Sequence, residues 1–326
     1  MDAAGKKIKI LTGALCLIFL AALALGCASP FSSPPRQGDR IPAPGDENAR
    51  EPIITLYNKE KGKVEKIKME KYIEGVVAAE MDTSWPIEAL AAQAIIARTF
   101  TLKKIQEGGV KKYNTDASTD EQEFQAYDAS KINDNVRKAV ARSRGIVVTH
   151  NGKYINGWFH ADAGGRTAAS AVEGLNFTKE KAPYIHSVND PGFKSSPPEN
   201  RSWKAVFPVS EVRQKIQNSL GRDPGPIREV KILERGPSGR VTKVKVGNLA
   251  LSGPSLRLAL GSEVMRSTLL TQFKVSGGRL IAAGKGYGHG VGMSQWGAKV
   301  MAENGKSAEE IIKYYYKDVE IQKVWR

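Results

Sequence analysis

The chain has 326 residues, room for one large domain or two ordinary ones, and its 25% charged and 41% hydrophobic content excludes a disordered chain. Lys and Arg number 49 against 34 Asp and Glu, a net charge of +15, which points to a polyanionic neighbourhood (nucleic acid, acidic lipid or anionic wall polymer) or merely to solubility. The lysines are scattered, with no arginine-rich arm or interleaved basic–aromatic tract, so the charge describes an environment and not a nucleic-acid reader. Cys16 and Cys27 are the only cysteines. The body downstream therefore has no disulfide and no cysteine ligand for zinc.

Lys6, Lys7 and Lys9 precede an apolar run from Ile10 to Leu25, the n-region and h-region of an export signal. Ala24-Leu25-Gly26-Cys27 resembles a lipoprotein box, so lipidation at Cys27 and an uncleaved membrane anchor are both open. Either places the body outside the cytoplasm, tethered to the membrane, with nucleic acid excluded as a partner. Residues 28–52 carry six prolines among Ser, Gly and charged residues, the composition of an extended spacer. The folded part is expected from Ile53 to the C-terminus.

Ile53–Tyr57 and Val64–Lys68 predict a hairpin, followed by helices over 70–81 and from Ile87 to the Gly108-Gly109 stop. In the first helix Glu80 stands seven residues after Ile73, four after Val76 and three after Val77, inside the apolar stripe. Burial and the negative end of the helix dipole both raise a carboxyl pKa, and a glutamate that keeps its proton near neutral pH is a general acid. A stripe-edge glutamate whose tip reaches water fits the same pattern. Arg98 lies on the stripe of the second helix and requires an anion, either a ligand or a carboxylate such as Glu80.

Asn114–Tyr127 reads as a polar loop of the kind that carries binding groups. A helix over 131–144 and a hairpin of Ile146–His150 with Lys153–Phe159 across Asn151-Gly152 come next. A tight turn follows at Ala163–Thr167, and a long loop at Asn189–Trp203. Further helices are expected at 210–220 and 252–260, with strands at 228–234, 240–246, 269–275 and 280–283. Hairpins alternating with helices, without a βαβ repeat, argue for an α+β fold.

Gly284–Gly297 places glycine at every second position up to Gly292, which lets the backbone approach a ligand closely. The spacing is not that of a dinucleotide loop. His289 and Ser294 lack a third member for a nucleophilic triad. His289, Gln295 and Trp296 together suit a sugar, although a turn histidine bonded to local backbone accounts for His289 equally. Ser307 with Glu310 predicts a capping box for the last helix.

The motifs E-G-V-V-A-A-E-M (74–81), A-L-A-A-Q-A-I-I-A-R-T-F (89–100), P-Y-I-H-S-V-N-D-P (183–191), L-S-G-P-S-L-R-L-A-L-G (251–261) and G-Y-G-H-G-V-G-M-S-Q-W-G-A (286–298) resemble the SpoIID/LytB domain family, and the likeness runs through nearly all of 53–325. The resemblance implies one elongated catalytic body with a substrate groove. It further implies a lytic transglycosylase acting on peptidoglycan glycan strands stripped of stem peptides, during engulfment in spore-formers. It places Glu80 as the catalytic residue, and Arg98, Gln125, Tyr127, Arg166, His289, Ser294, Gln295 and Trp296 along the groove. The family name also implies an alternative, a non-catalytic wall-binding module that enhances a cell-wall amidase. Asp82 stands where the family has proline after E-M, adding a second carboxylate. The His and Cys that hold zinc in some members are missing from 114–127, so neither metal nor other cofactor is expected.

Overall fold

In a computed structural model the chain is described over residues 41–45 and 49–326. The expectations for Cys27, the apolar run and the first part of the spacer lie outside those residues. Strands β1 (Ile53–Asn58) and β2 (Lys63–Lys68) form the expected hairpin, in register from Ile53↔Lys68 to Asn58↔Lys63. Helix α1 (Met69–Glu80) follows directly and turns its Tyr72, Ile73, Val76 and Val77 face into the core. Helix α2 (Ile87–Gln106) departs from expectation. It is not a surface helix with one stripe, since Ala89 to Thr99 are buried without interruption. Its alanines leave room for neighbours on all sides. Packed around it are α1, α3 (Asp134–Arg142), the strand Ile146–His150 and the last two helices, Gln295–Glu303 and Ala308–Tyr315.

The Asn151-Gly152 turn forms with both residues at positive φ, 51° and 69°, as a primed hairpin turn requires. Its second arm ends at Tyr154, short of the predicted Phe159. Phe159–His160 instead pairs in parallel with Met293–Ser294, tying the middle of the chain to its C-terminal motif. The other edge of Ile146–His150 is taken by Glu320–Lys323. The capping box at Ser307 and Glu310 is present.

The fold is mixed α+β, and its buried apolar side chains fall into two clusters. The second cluster spans 203–282, where two three-stranded antiparallel sheets pack with the helices Val209–Leu220 and Gly253–Leu260. One sheet is built from Val230–Arg235, Val241–Val246 and Leu249–Ser252. The other orders Leu270–Ser276, Arg279–Gly284 and Trp203–Pro208. A buried polar seam joins the two clusters. Arg240, 1% exposed, donates from Nη1 to the Arg166 carbonyl and from Nη2 to that of Ala163, both at 2.7 Å. Glu173 receives the backbone and hydroxyl of Ser238.

Contacts to the body also begin before Ile53. Tyr154 donates its hydroxyl to the Pro42 carbonyl, Ala49 pairs with Trp325, and Glu51 accepts from the Glu70 amide. The end of the proline-rich stretch is thus bound to the body.

Candidate active site

Glu80 is the last residue of α1 and 5% exposed. Oε1 accepts the Ala126 amide at 3.1 Å, and Oε2 is buried with no partner among the described residues. Burial is the main influence on this carboxyl. The Ala126 amide pulls the other way and the charge of Glu121 adds to the rise, leaving the pKa pushed up to about 8. With Oε1 accepting, the proton belongs on Oε2. The fold thus presents a neutral carboxylic acid at pH 7 with its O–H unengaged, the state a general acid requires.

Two separate segments close over this site. From 114–128, Ala126 reaches Glu80. Gln125 beside it donates to Thr101 Oγ1 at 2.9 Å and more weakly to the Tyr72 hydroxyl at 3.5 Å. Tyr127, half-buried, stacks on Tyr72 with centroids 5.7 Å apart. From the C-terminal motif, Gln295 Nε2 donates to the Glu80 carbonyl at 3.1 Å and to Gln93 Oε1 at 3.4 Å. Gln93 Nε2 and Gln125 Oε1, like Glu80 Oε2, are buried without partners among the described residues. Trp296 and Trp85, both half-buried, meet edge to face at 4.8 Å with Lys299 above them, an aromatic surface suited to a sugar face.

Gln295 and Trp296 are set by the start of their helix. Ser294 is its N-cap, accepting the Gly297 amide, and its hydroxyl donates to Asp190 Oδ2 at 3.0 Å. Tyr315 donates to Asp190 Oδ1 at 2.7 Å. Burial pushes Asp190 up to about 6.

Gln295 touches Glu80 directly, Gln125 and Tyr127 flank the Ala126 amide that Glu80 accepts, and Trp296 follows Gln295 with its ring on Trp85, with Ser294 behind them. Arg98, His289 and Arg166 have other contacts. Arg98 is fully buried and its fork closes on Glu70, with Nη2 to Oε2 at 2.6 Å and Nε to Oε1 at 3.1 Å. It is therefore not paired with Glu80, which leaves Glu80 without a cation to lower its pKa. His289 is 3% exposed, and its Nδ1 accepts the Val291 amide at 3.0 Å. Burial, then the neighbouring His160, hold its pKa well below the ordinary value, so it is neutral. The local-backbone account of His289 is the one the geometry supports. Arg166 is exposed and bonds Ser187. The glycines of the motif admit the protein's own atoms: at Gly290, φ +80°, a Cβ would collide with the Arg240 guanidinium.

Asp82 is exposed and accepts both the amide and hydroxyl of Ser84. Glu88 is bound to Arg142 and to the Ala308 amide. Neither touches Glu80. Tyr72, Gln93, Trp85 and Asp190 were not among the expected site residues. Gln93 had a signal, a lone amide in an otherwise apolar helical run. Asp190 lies in the 183–191 motif, but its role had no signal there, because its side-chain partners Ser294 and Tyr315 lie over 100 residues away.

A family model described as stage II sporulation protein matches residues 57–150, and one described as a domain of unknown function matches 174–292. The chain is 33% identical over 281 residues to stage II sporulation protein D of Bacillus amyloliquefaciens, covering 82% of this chain and 78% of that protein. It is 31% identical over 284 residues to the Bacillus subtilis protein of the same name, covering 82% and 78%. An amidase enhancer of Bacillus subtilis is 29% identical over 286 residues, which covers 75% of this chain and 39% of that protein. These likenesses define a class, and the chain belongs to the SpoIID family.

Proposed function

We propose that this protein is a lytic transglycosylase of peptidoglycan glycan strands, acting in sporulation from the outer side of the membrane that tethers it. The observation that carries the reading is Glu80: a buried, uncharged acid with one free oxygen, held between α1, the 125–127 segment and Gln295. Hydrolytic glycosidases usually need two carboxyl groups about 5–10 Å apart. Asp82 and Glu88 are engaged elsewhere, which favours a one-acid mechanism. Glu121 is the carboxylate whose charge Glu80 feels, and it is exposed.

In that mechanism protonated Glu80 gives its proton to the glycosidic oxygen between N-acetylmuramic acid and N-acetylglucosamine as the bond to C1 breaks. The muramyl 6-hydroxyl oxygen closes on C1 and its proton returns to the Glu80 carboxylate, restoring the acid. The nucleophile is part of the substrate, and effective molarities of ~10⁵ M or more for such closures remove the need for an activated water. The Trp85–Trp296 surface supports one sugar face.

A second reading, a wall-binding module that enhances a separate amidase, is favoured by the amidase-enhancer relative and by how completely Glu80 is enclosed. Denuded glycan strands incubated with the protein and analysed by mass spectrometry separate the readings. Transglycosylation gives 1,6-anhydromuramyl ends that vanish in Glu80→Gln, hydrolysis gives free reducing ends, and the enhancer leaves strands intact while binding them. Anhydro ends persisting in a folded Glu80→Gln protein would contradict the assignment.

A further inference from the structure

Residues 203–282 carry fourteen Lys and Arg against five Asp and Glu, so this second cluster holds most of the chain's net charge of +15. Its two sheets use that charge differently. On the sheet of 230–252 the lysines have carboxylate partners: Lys231 and Lys245 with Glu229, and Lys243 with Glu234. Like charges brought opposite one another, as Lys231 and Lys245 are, are neutralised within the sheet.

The other sheet is different. Its register places Lys204 opposite Ala283, Val206 opposite Ile281, and Pro208 opposite Arg279, with Gln272, Lys274 and Ser276 on the third strand. These residues share the outward face, since Trp203, Ala205, Phe207, Leu280 and Ala282 between them are buried. The face has an apolar centre of Val206 (43% exposed), Ile281 and Ala283, rimmed by Lys204, Lys274 and Arg279. Among the described residues no carboxylate lies within ion-pair distance of those three cations.

We infer that this face is a docking surface for an anionic lipid bilayer. Charge complementarity identifies the class of partner, because three unneutralised cations on one face seek a dense array of anions. The apolar centre selects lipid over a wholly polar anionic polymer, since only the bilayer interface offers acyl carbon beside phosphate. The apolar run at Ile10–Leu25, taken as a membrane tether, leaves some fifteen residues before Ile41, a reach of at most about 50 Å. Each cation near such a surface favours the bound state by about fivefold, so three give about a hundredfold on a tethered chain, and salt screens it within about 8 Å. Strand Arg279–Gly284 of this face runs straight into the motif that carries Gln295 to the Glu80 carbonyl, so docking would fix how the candidate site faces the wall.

The test is covalent footprinting of the full chain in vesicles. Amine acylation at Lys204 and Lys274 is followed by mass spectrometry, with Lys231 and Lys243 as internal references. In vesicles containing phosphatidylglycerol both target lysines should react at least about threefold more slowly than in phosphatidylcholine vesicles, with the difference lost in 1 M salt. The Glu80→Gln chain should give the same pattern, so the result does not depend on catalysis. Equal rates in the two lipids would overturn the inference. So would slowing that soluble poly(glycerol phosphate) produces without anionic lipid, or slowing in detergent that scales with protein concentration.

Discussion

Glu80 owes its proton to what is withheld from it. Arg98, one helix away and pointed inward, closes on Glu70, and the nearest help for a negative charge on Glu80 is one backbone amide. The folded pKa of about 8 lies above the ordinary 4.5, so between those values the native chain binds more protons than the unfolded one, and stability falls as pH rises. The slope in that window is about 1.4 kcal/mol per pH unit and vanishes below and above it. Glu80→Gln removes the group, so in urea unfolding the variant gains on the wild type from pH 5 to pH 8. A difference flat with pH would contradict the burial account. Cleavage should likewise decline above about pH 8, where the acid is lost.

Glu70 illustrates the opposite use of a buried carboxylate. Besides Arg98 it accepts the Gly145 amide and the Trp325 indole, joining α1, α2, the start of the 146–150 strand and the C-terminus. Removing one member leaves a buried charge uncompensated, so Glu70→Gln should cost about 3–5 kcal/mol in denaturant unfolding. An Arg98 variant should be destabilised comparably, and a loss of glycan binding with stability unchanged would instead return Arg98 to the groove.

At the scale of elements, the glycine-rich segment is a strap between the two clusters, and its glycines serve packing. Gly290 sits at φ +80° against the Arg240 guanidinium, whereas Gly277, φ +56°, has open space. Gly277→Ala should cost about 1 kcal/mol of backbone strain. Gly290→Ala should cost several times more in the same unfolding assay, because Arg240 is held by two carbonyls and has nowhere to move. Equal costs would show that the seam yields.

The local elements were legible where the signal was local. Asn151-Gly152 announces its turn, Ser307 and Glu310 their cap, and the spacing of Ile73, Val76 and Val77 puts Glu80 on the apolar stripe without deciding whether its tip is buried or reaches water. What a stripe cannot say is which partner faces it. Arg98 on its stripe needs an anion, but Glu70 and Glu80 both lie on α1 and periodicity does not choose between them. The strand Trp203–Pro208 carries no clear sequence signal, because its buried–exposed alternation follows a stretch dense in Pro and Ser, and the second arm of the 146–154 hairpin stops short of Phe159 because its later residues pair with a segment 134 residues away.

For the whole molecule, the site exists only when three distant stretches meet. The end of α1 supplies the acid, residues 125–127 cover it, and Gln295 arrives from the C-terminal helix through a strap anchored on the second cluster. The division into two clusters was not legible, because strand and helix patterns carry no record of which core they fill. The enclosed acid is therefore a property of the assembled fold, and its titration reports on all of it. The most direct measurement is isotope-edited infrared difference spectroscopy of the folded wild type against Glu80→Gln across pH. The account predicts a protonated-carboxyl band assigned to Glu80 that persists at pH 7 and disappears with a midpoint near 8. A band lost near 4.5, the value of an ordinary glutamate, would contradict it.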